Sequence, residues 1–532
     1  YIVVTALSLP GSAVMTLAGG ALFGFWYAML LVSFASSIGA TLAFLVSRLL
    51  LRDWVQQRFS RHLGALNRGF AKDGSFYLFS LRLVPIFPFF MINLLMGLLP
   101  IRPWPFYWVS QLGMLPATVV FVNAGTQLGQ LESLYGIISL PLLGSFALLA
   151  LFPFIARWLL GALKPRLILA AYPKPKQFDN NLIVIGAGSG GLVASLIAAT
   201  VKAKVTLIER HQMGGDCLNT GCVPSKALIR SARIAQYARR AEEFGLAPMS
   251  VEVNFPKVMQ RVQNIIKTIE PHDSVERFTE LGVNCVQGDA KILSPWEVEV
   301  NGQTLTAKNI VIATGARPRV PDIPGLAALD YLTSDTVWDI RDLPERLLVV
   351  GAGPIGCELA QSFARLGSKV TLVTHADRLL PREDTEVSER VHAEFRRQHV
   401  KVHANYNPLF FDAAENEQTC VFSTPRGQRE LSFDRVLLAV GRSANVEGLG
   451  LENLGIAVGP EGTVEVDACL RTAIPTIFAC GDVAGPYMFT HMASHQAWYA
   501  AVNALFGRFR TFKVDYSVVP WATFTDPEVA RV

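Results

Sequence analysis

The chain has 532 residues, of which 51% are hydrophobic and 17% charged, with a net charge of +5. That length exceeds one ordinary domain, and a charged fraction well under the usual quarter points to a part that lies in lipid. The small, scattered positive balance gives no case for a nucleic-acid partner, and seven cysteines, all after residue 216, do not read as a secreted disulfide framework. The soluble part is therefore expected in a reducing compartment.

The chain opens at Tyr1 in an apolar run without a cleavage site, so a preceding piece is expected. Apolar segments follow at about 10 to 25, 26 to 47, 106 to 128 and 135 to 156, with a broken one at 75 to 100. A spanning helix needs roughly 20 apolar residues, which the segments from 26, 106 and 135 supply. The stretch Pro10–Gly24 is short and glycine-rich, and the segment 75 to 100 carries Arg82, Pro85 and Pro88, so these two are expected as re-entrant hairpins. Basic residues follow three of the segments: Arg48, Arg52, Arg58, Arg61, Arg68 and Lys72; then Arg102; then Arg157, Lys164, Arg166, Lys174 and Lys176. The connection at Gln130 and Glu132 has none. This asymmetry puts the basic clusters, and the soluble half, on the cytoplasmic face of an integral membrane protein.

Arg82, Asn93, Gln111 and Asn123 are polar groups at bilayer depth. They mark a pathway, or else Arg82 snorkels and the amides bond between helices. The stretches Gly19–Gly24, Arg82-Leu83-Val84-Pro85 and Asn123-Ala124-Gly125 resemble the SNARE-associated (DedA-like, VTT) membrane family over about 160 residues. The resemblance implies an α-helical membrane domain in contact with membrane lipid, and either lipid movement between leaflets or ion-coupled transport. Some bacterial relatives have a carboxylate in or near the first hairpin, whereas this chain has no Asp or Glu before Asp53. A plain membrane anchor is the other reading.

From Gly161 to Asn180 the composition turns to Lys, Pro and Gln, and Pro165, Pro173 and Pro175 are expected to prevent a continuous helix. Leu182–Ile185 then reads as a buried parallel strand, followed by Gly186-Ala187-Gly188-Ser189-Gly190-Gly191 and a helix-compatible run. A second strand, Val205–Ile208, ends in Glu209, placed as ribose recognition requires. Gly186, Gly188 and Gly191 would let a pyrophosphate approach the positive end of a helix.

Next comes Gly214-Gly215-Asp216-Cys217-Leu218-Asn219-Thr220-Gly221-Cys222-Val223-Pro224-Ser225-Lys226, with a helix-compatible run over Ser225–Ala241. Two thiols at this spacing can reach disulfide geometry and exchange electrons with a third sulfur. Cys222 is expected just before or at a helix N-terminus, which favours thiolate, and Cys217 on the preceding turn, facing substrate. A structural disulfide and a zinc site are the rival readings, although no second cysteine pair lies near and no metal is expected.

Further on, Ile310–Gly315 is another strand ending in a small-residue turn at Thr314 and Gly315, and Leu347–Val350 leads into a second fingerprint with Gly351, Gly353 and Gly356. Two fingerprints imply two nucleotides. After the strand Lys369–Val373, Thr374 stands where an acid would accept the ribose 2′-hydroxyl. With His375 and Arg378 close by, this favours NADPH over NADH.

The segment 214 to 226 closely resembles the redox-active stretch of the flavin-dependent pyridine nucleotide-disulfide oxidoreductases, and the resemblance extends over about 181 to 532. It implies two Rossmann-like α/β domains, FAD as the first nucleotide and NADP (or NAD) as the second. Cys222 would contact the flavin, Cys217 would exchange with substrate, and Lys226 would lie near the flavin ring. Glu358 would stand beside the nicotinamide, where it could pair with Lys226, and Asp482 would accept a hydrogen bond from the ribityl chain. Cys285, Cys357, Cys420, Cys469 and Cys480 have no comparable spacing and read as small core residues.

Val519–Glu528 is similar to the opening of the family's interface domain. More chain is expected beyond Val532, to supply a homodimer surface and an acid/base His and Glu. The expected organisation is a membrane domain at 1–165, a linker at 166–180, FAD-binding parts at 181–330 and 441–515 around an NAD(P)-binding domain at 331–440, and the interface start at 516–532. The leading function is a membrane-tethered NAD(P)H:disulfide oxidoreductase whose acceptor is a small-molecule or protein disulfide or a thiol-bound metal. The alternative is a lipid or solute transporter, or scramblase, regulated by a flavoprotein.

Overall fold

A computed structural model of the chain describes residues 1–7, 9, 11–50, 74–83, 88–99, 101–130, 140–414 and 417–532. The chain divides into two compact units, Tyr1–Leu167 and Ile168–Val532.

In the first unit, Ser12–Leu49 and Pro103–Gly129 are long and apolar enough to cross a bilayer. A shorter apolar stretch, Leu143–Ala156, lies within the helix Leu140–Ala170. The Ser12–Leu49 helix takes in both segments expected at 10 to 25 and 26 to 47, and it breaks where they meet, because Gly24 adopts φ 69° and ψ 177°. It meets Pro103–Gly129 backbone to backbone: a Cβ on Gly20 would stand 2.3 Å from the Val122 carbonyl oxygen, and one on Gly125 2.1 Å from that of Leu17. Only small residues permit this approach, which is how helix pairs gain contact in lipid.

The broken segment forms helices Ser75–Leu83 and Phe89–Met96. Pro85, the basic residues Arg52, Arg58, Arg61, Arg68 and Lys72, and Glu132 lie outside the described residues. Arg82 does not snorkel. It is 5% exposed and turns inward, Nη2 donating to Asn93 Oδ1 at 2.6 Å and Nε to Ser110 Oγ at 3.2 Å. The aromatic faces of Phe89 and Phe106, 5.1 and 5.3 Å from the guanidinium carbon, favour this buried position. The amides do bond between helices, Gln111 to Ser33 and Asn123 to Ser145, both at 2.7 Å.

Pro165 does not end the last helix of this region, which runs from Leu140 to Ala170 with Pro153 and Pro165 inside it. A proline removes one backbone bond, and a long apolar helix absorbs that loss. The break comes before Pro173.

The second unit is α/β. Its larger sheet has seven strands, with Val283–Gln287, Val205–Glu209, Asn180–Ile185 and Gln303–Ile312 parallel in that order. Ile477–Ala479 also pairs in parallel with Gln303–Ile312, whose first residues turn to pair antiparallel with Glu297–Val300. The second sheet sets Lys401–His403, Lys369–Val373, Arg346–Val350 and Arg435–Leu438 in parallel, and a three-stranded antiparallel sheet covers Asn407–Ala414, Glu417–Thr424 and Gly427–Phe433. The central strands are buried along their length, as strands covered on both faces must be. In register, Ile185 stands beside Ile208 and Ile312, and Val350 beside Val373 and Leu438. Each glycine turn therefore leaves its sheet at the carboxyl ends of the neighbouring strands, where open α/β sheets bind ligands.

The helix Cys222–Arg239 lies against the helix Pro354–Leu366, with Ala227, Leu228 and Ala232 in one core with Cys357, Leu359, Ala360 and Phe363. Phe363 is fully buried, its ring centroid 5.9 Å from that of Phe255. Phe363→Ala is expected to lower stability by about 3–5 kcal/mol, read as a fall in the urea midpoint.

Candidate active site

The glycines of both turns stand where side chains do not fit. Gly186 and Gly351 take φ of +101° and +115°, and a Cβ on Gly191 or Gly356 would meet the carbonyl oxygen of Gly186 or Gly351 at 1.7 or 1.9 Å. The middle glycines differ. A Cβ on Gly353 would meet nothing within 4 Å, and one on Gly188 would meet only Gly215 Cα, at 3.9 Å. Each caps a helix, Ser189–Thr200 and Pro354–Leu366, so free space lies over two helix N-termini. Backbone N–H groups and a partial positive charge face that space, which suits a pyrophosphate.

Glu209 ends its strand with Oε2 accepting from the Ala187 N–H at 2.7 Å and Oε1 from the His211 N–H at 2.8 Å. The carboxylate thus lies against the first glycine turn, within the sequence pattern that selects a ribose. Thr314 Oγ1 donates to the Asn445 carbonyl at 2.7 Å, and Asn445 Nδ2 donates back to the Thr314 carbonyl at 2.9 Å, closing the chain crossing at Gly315. Asp482 lies 3.4 Å from Arg442, which also pairs with Asp216. Burial raises the Asp482 pKa, and Arg442 opposes the rise. With Arg442 on one oxygen, Asp482 keeps the other as an acceptor.

The cysteine segment abuts the first glycine turn, since a Cβ on Gly215 would sit 2.6 Å from Gly188 Cα. Cys217 lies not on an open turn but in a short helix, Gly215–Asn219. Asn219 accounts for this: its amide donates to the Met213 and Gly215 carbonyls, both at 2.9 Å, and holds the segment closed. Cys222 is the first residue of the helix Cys222–Arg239, capped by Gly221. Both thiols are free and partly exposed.

Cys222 is drawn down to a pKa of about 6, first by the hydrogen bond from Cys217, then by Thr490 and the positive charge of Lys226, against burial and Glu358. Its sulfur lies 3.4 Å from Thr490 Oγ1, at the start of the helix Thr490–Phe506. Cys217 moves upward, since losing its proton would end its bond to Cys222 and place two thiolates side by side, and burial adds to this. The proton shared by the pair therefore resides on Cys217.

Lys226 Nζ donates to Glu358 Oε2 at 3.1 Å and to Ser225 Oγ at 3.2 Å. Glu358, 6% exposed, also accepts the Phe524 N–H on Oε1 at 2.8 Å. In the second nucleotide fold, Thr374 is buried, its hydroxyl accepting the Ala376 N–H at 3.1 Å. His375 is exposed, and Arg378 lies 3.6 Å from the exposed Asp377.

Cys217, Cys222, Lys226 and Glu358 are thus brought together, while His375 and Arg378 stand apart, at the end of the second sheet's strand. Sequence reasoning gave no site role to Thr490, Arg442, Asn445 or Phe524. Thr490 is 268 residues from Cys222 and has no local signal. Of the other five cysteines, Cys357, Cys420 and Cys480 are buried, and Cys285 and Cys469 are half-buried. In the reduced protein, thiolate absorbance is expected to rise with a midpoint near pH 6, as Cys222→Ser would show by losing that rise.

Residues 180–497 match the family of pyridine nucleotide-disulphide oxidoreductases, and residues 9–127 match the VTT domain. A dihydrolipoyl dehydrogenase of Chlamydia pneumoniae is 36% identical over 362 residues, 67% of this chain and 76% of its own length. A mercuric reductase of Staphylococcus aureus is 33% identical over 357 residues, covering 66% of this chain and 64% of that one. Among solved structures, the Cu(II) complex of the HOCl-induced flavoprotein disulfide reductase RclA from Escherichia coli aligns with a TM-score of 0.59 at 27% identity, over 66% of this chain and 77% of that one. The chain belongs to the pyridine nucleotide-disulphide oxidoreductases, flavoenzymes that use FAD and NAD(P)H and act on sulfur groups, and it carries in addition a membrane-associated VTT domain.

Proposed function

We propose that the Cys217/Cys222 pair reduces a disulfide, or a metal held by thiols, at the expense of NADPH. The observation that carries this reading is the pair of free, partly exposed thiols beside the first glycine turn, Cys222 at the start of its helix next to Thr490, with the Lys226–Glu358 pair one turn on. Gly186, Gly188, Gly191, Glu209, Thr314, Gly315 and Asp482 would hold FAD in one Rossmann-like domain. Gly351, Gly353, Gly356, His375 and Arg378 would hold NADPH in a second. Bound FAD would take electrons from the nicotinamide and return two of them to the cysteine pair.

The exchange itself belongs to the chain's own sulfurs. Cys217 attacks one sulfur of the substrate disulfide while its proton passes to Cys222. A mixed disulfide forms, and one substrate thiolate leaves. That thiolate takes the proton back, since Cys222 is the stronger acid. Cys222 then attacks the Cys217 sulfur, releasing the second substrate thiolate and leaving the Cys217–Cys222 disulfide. Lys226 steadies the negative charge whenever it rests on Cys222, and Glu358 keeps Lys226 in place.

The preference for NADPH rests on Thr374, which offers no carboxylate to a ribose 2′-hydroxyl, and on the guanidinium of Arg378 for a 2′-phosphate. The soluble unit is read as cytoplasmic from the positions of the basic residues. By the family's habit the full protein is read as a homodimer, and the two irregular membrane segments are read as re-entrant.

A second reading has one observation behind it. Arg82 Nη1 and Asn93 Nδ2 are buried without a partner among the described residues, and such donors in apolar surroundings suit a lipid or solute that the VTT unit handles. Lipid movement in vesicles that is lost in Arg82→Leu but kept in Cys222→Ser would support it and would make the two units independent.

Cys217→Ser is expected to abolish NADPH-linked disulfide reduction in the full-length protein while leaving flavin bleaching by NADPH intact. If disulfide turnover persisted, the exchange scheme would fail. Arg378→Ala should lower the NADPH to NADH ratio of kcat/KM about tenfold. An unchanged ratio removes Arg378 from nucleotide selection.

A further inference from the structure

We propose that Phe524 is a positioning residue for the Lys226–Glu358 pair, its ring face holding the ammonium and its backbone N–H fixing the carboxylate. This rests on the reading of Lys226 as the cation that serves Cys222.

Both oxygens of Glu358 are engaged. Glu358 has two oxygens, one taken by Lys226 at 3.1 Å and the other by the Phe524 N–H at 2.8 Å. Lys226 Nζ lies 4.4 Å from the centroid of the Phe524 ring, within range of attraction to its negative face. One residue thus grips both members of the pair, the acid through its main chain and the base through its side chain.

Phe524 is itself held on a fixed track. It follows the strand Trp521–Thr523, which pairs antiparallel with Val529–Arg531. Asp526 exchanges two bonds with Gln361, 2.8 and 2.9 Å, and accepts from Arg365 at 2.7 Å. Glu528 pairs with Arg233 at 2.9 Å, and Trp521 Nε1 donates to Glu383 at 2.8 Å. Glu358, Gln361 and Arg365 recur at helical spacing along Pro354–Leu366, so one buried polar stripe receives the whole segment. Arg233 extends the grip to the helix that begins with Cys222.

The test uses the full-length, FAD-loaded protein in a Cys217→Ser background, where Cys222 is the remaining thiol of the pair. Alkylation of Cys222 by iodoacetamide is followed against pH by peptide mass spectrometry, since its rate tracks the thiolate fraction. Lys226→Met is expected to move the profile to higher pH. Phe524→Leu should move it the same way, slowing the reaction about two- to fivefold at about pH 5, and Phe524→Tyr, which keeps the ring, should match the parent. Equal thermal unfolding midpoints would show that all three variants fold. If Lys226→Met shifts the profile and Phe524→Leu does not, the role of Phe524 is overturned while that of Lys226 stands. Equal shifts in the Leu and Tyr variants would also overturn it, because bulk and not the ring face would then be at issue. An unmoved Lys226→Met profile removes the reading of Lys226 and the inference together.

Discussion

The ion pair between Lys226 and Glu358 ties the cysteine helix to the helix of the second glycine turn, and the rest of the soluble unit is arranged so that this pair can exist. Glu358 is buried, so a missing partner would leave an uncompensated charge in a poorly solvated place. The surrounding core answers that demand. Small residues, Ala227 and Ala232 on one helix and Ala360 on the other, let the two helices approach closely enough for a lysine to reach across. The cysteine helix and the helix of the second glycine turn consequently share one packed core.

The charge on Cys222 follows from the same arrangement. Two helix N-termini, those of Cys222–Arg239 and Thr490–Phe506, meet at its sulfur, with a lysine one turn further on and a thiol donor beside it. The Cys217 thiol contributes most, Thr490 and Lys226 add to it, and together they outweigh burial, which favours the neutral form. Glu358 acts in the opposite sense, and its ion pair with Lys226 offsets that charge.

The membrane unit solves a different problem by similar means. Gly20 and Gly125 bring two apolar helices into backbone contact, and the polar groups that remain, Arg82, Asn93, Ser110 and Gln111, turn toward protein. In lipid there is no solvent to receive them.

Much of this was legible in the residues themselves. Glycine spacing announced both strand-to-helix turns because backbone sterics are local: no other residue fits at Gly186, Gly191 or Gly356, and the strand and helix on either side carry their own patterns. The cysteine spacing and the pairing of Lys226 with Glu358 followed from motif and family likeness. What only the tertiary structure decided lies across long sequence separations or depends on the direction of a side chain. Thr490 reaches Cys222, Phe524 grips Glu358 across 166 residues, and Arg82 turns inward instead of toward the lipid interface. Pro165, which read as a helix stop, was carried within a helix. Local chemistry determined where the backbone can bend and where two thiols can stand close together. Which residues meet was decided by the packing of helices and strands, since a contact between distant residues leaves no periodic trace in the chain.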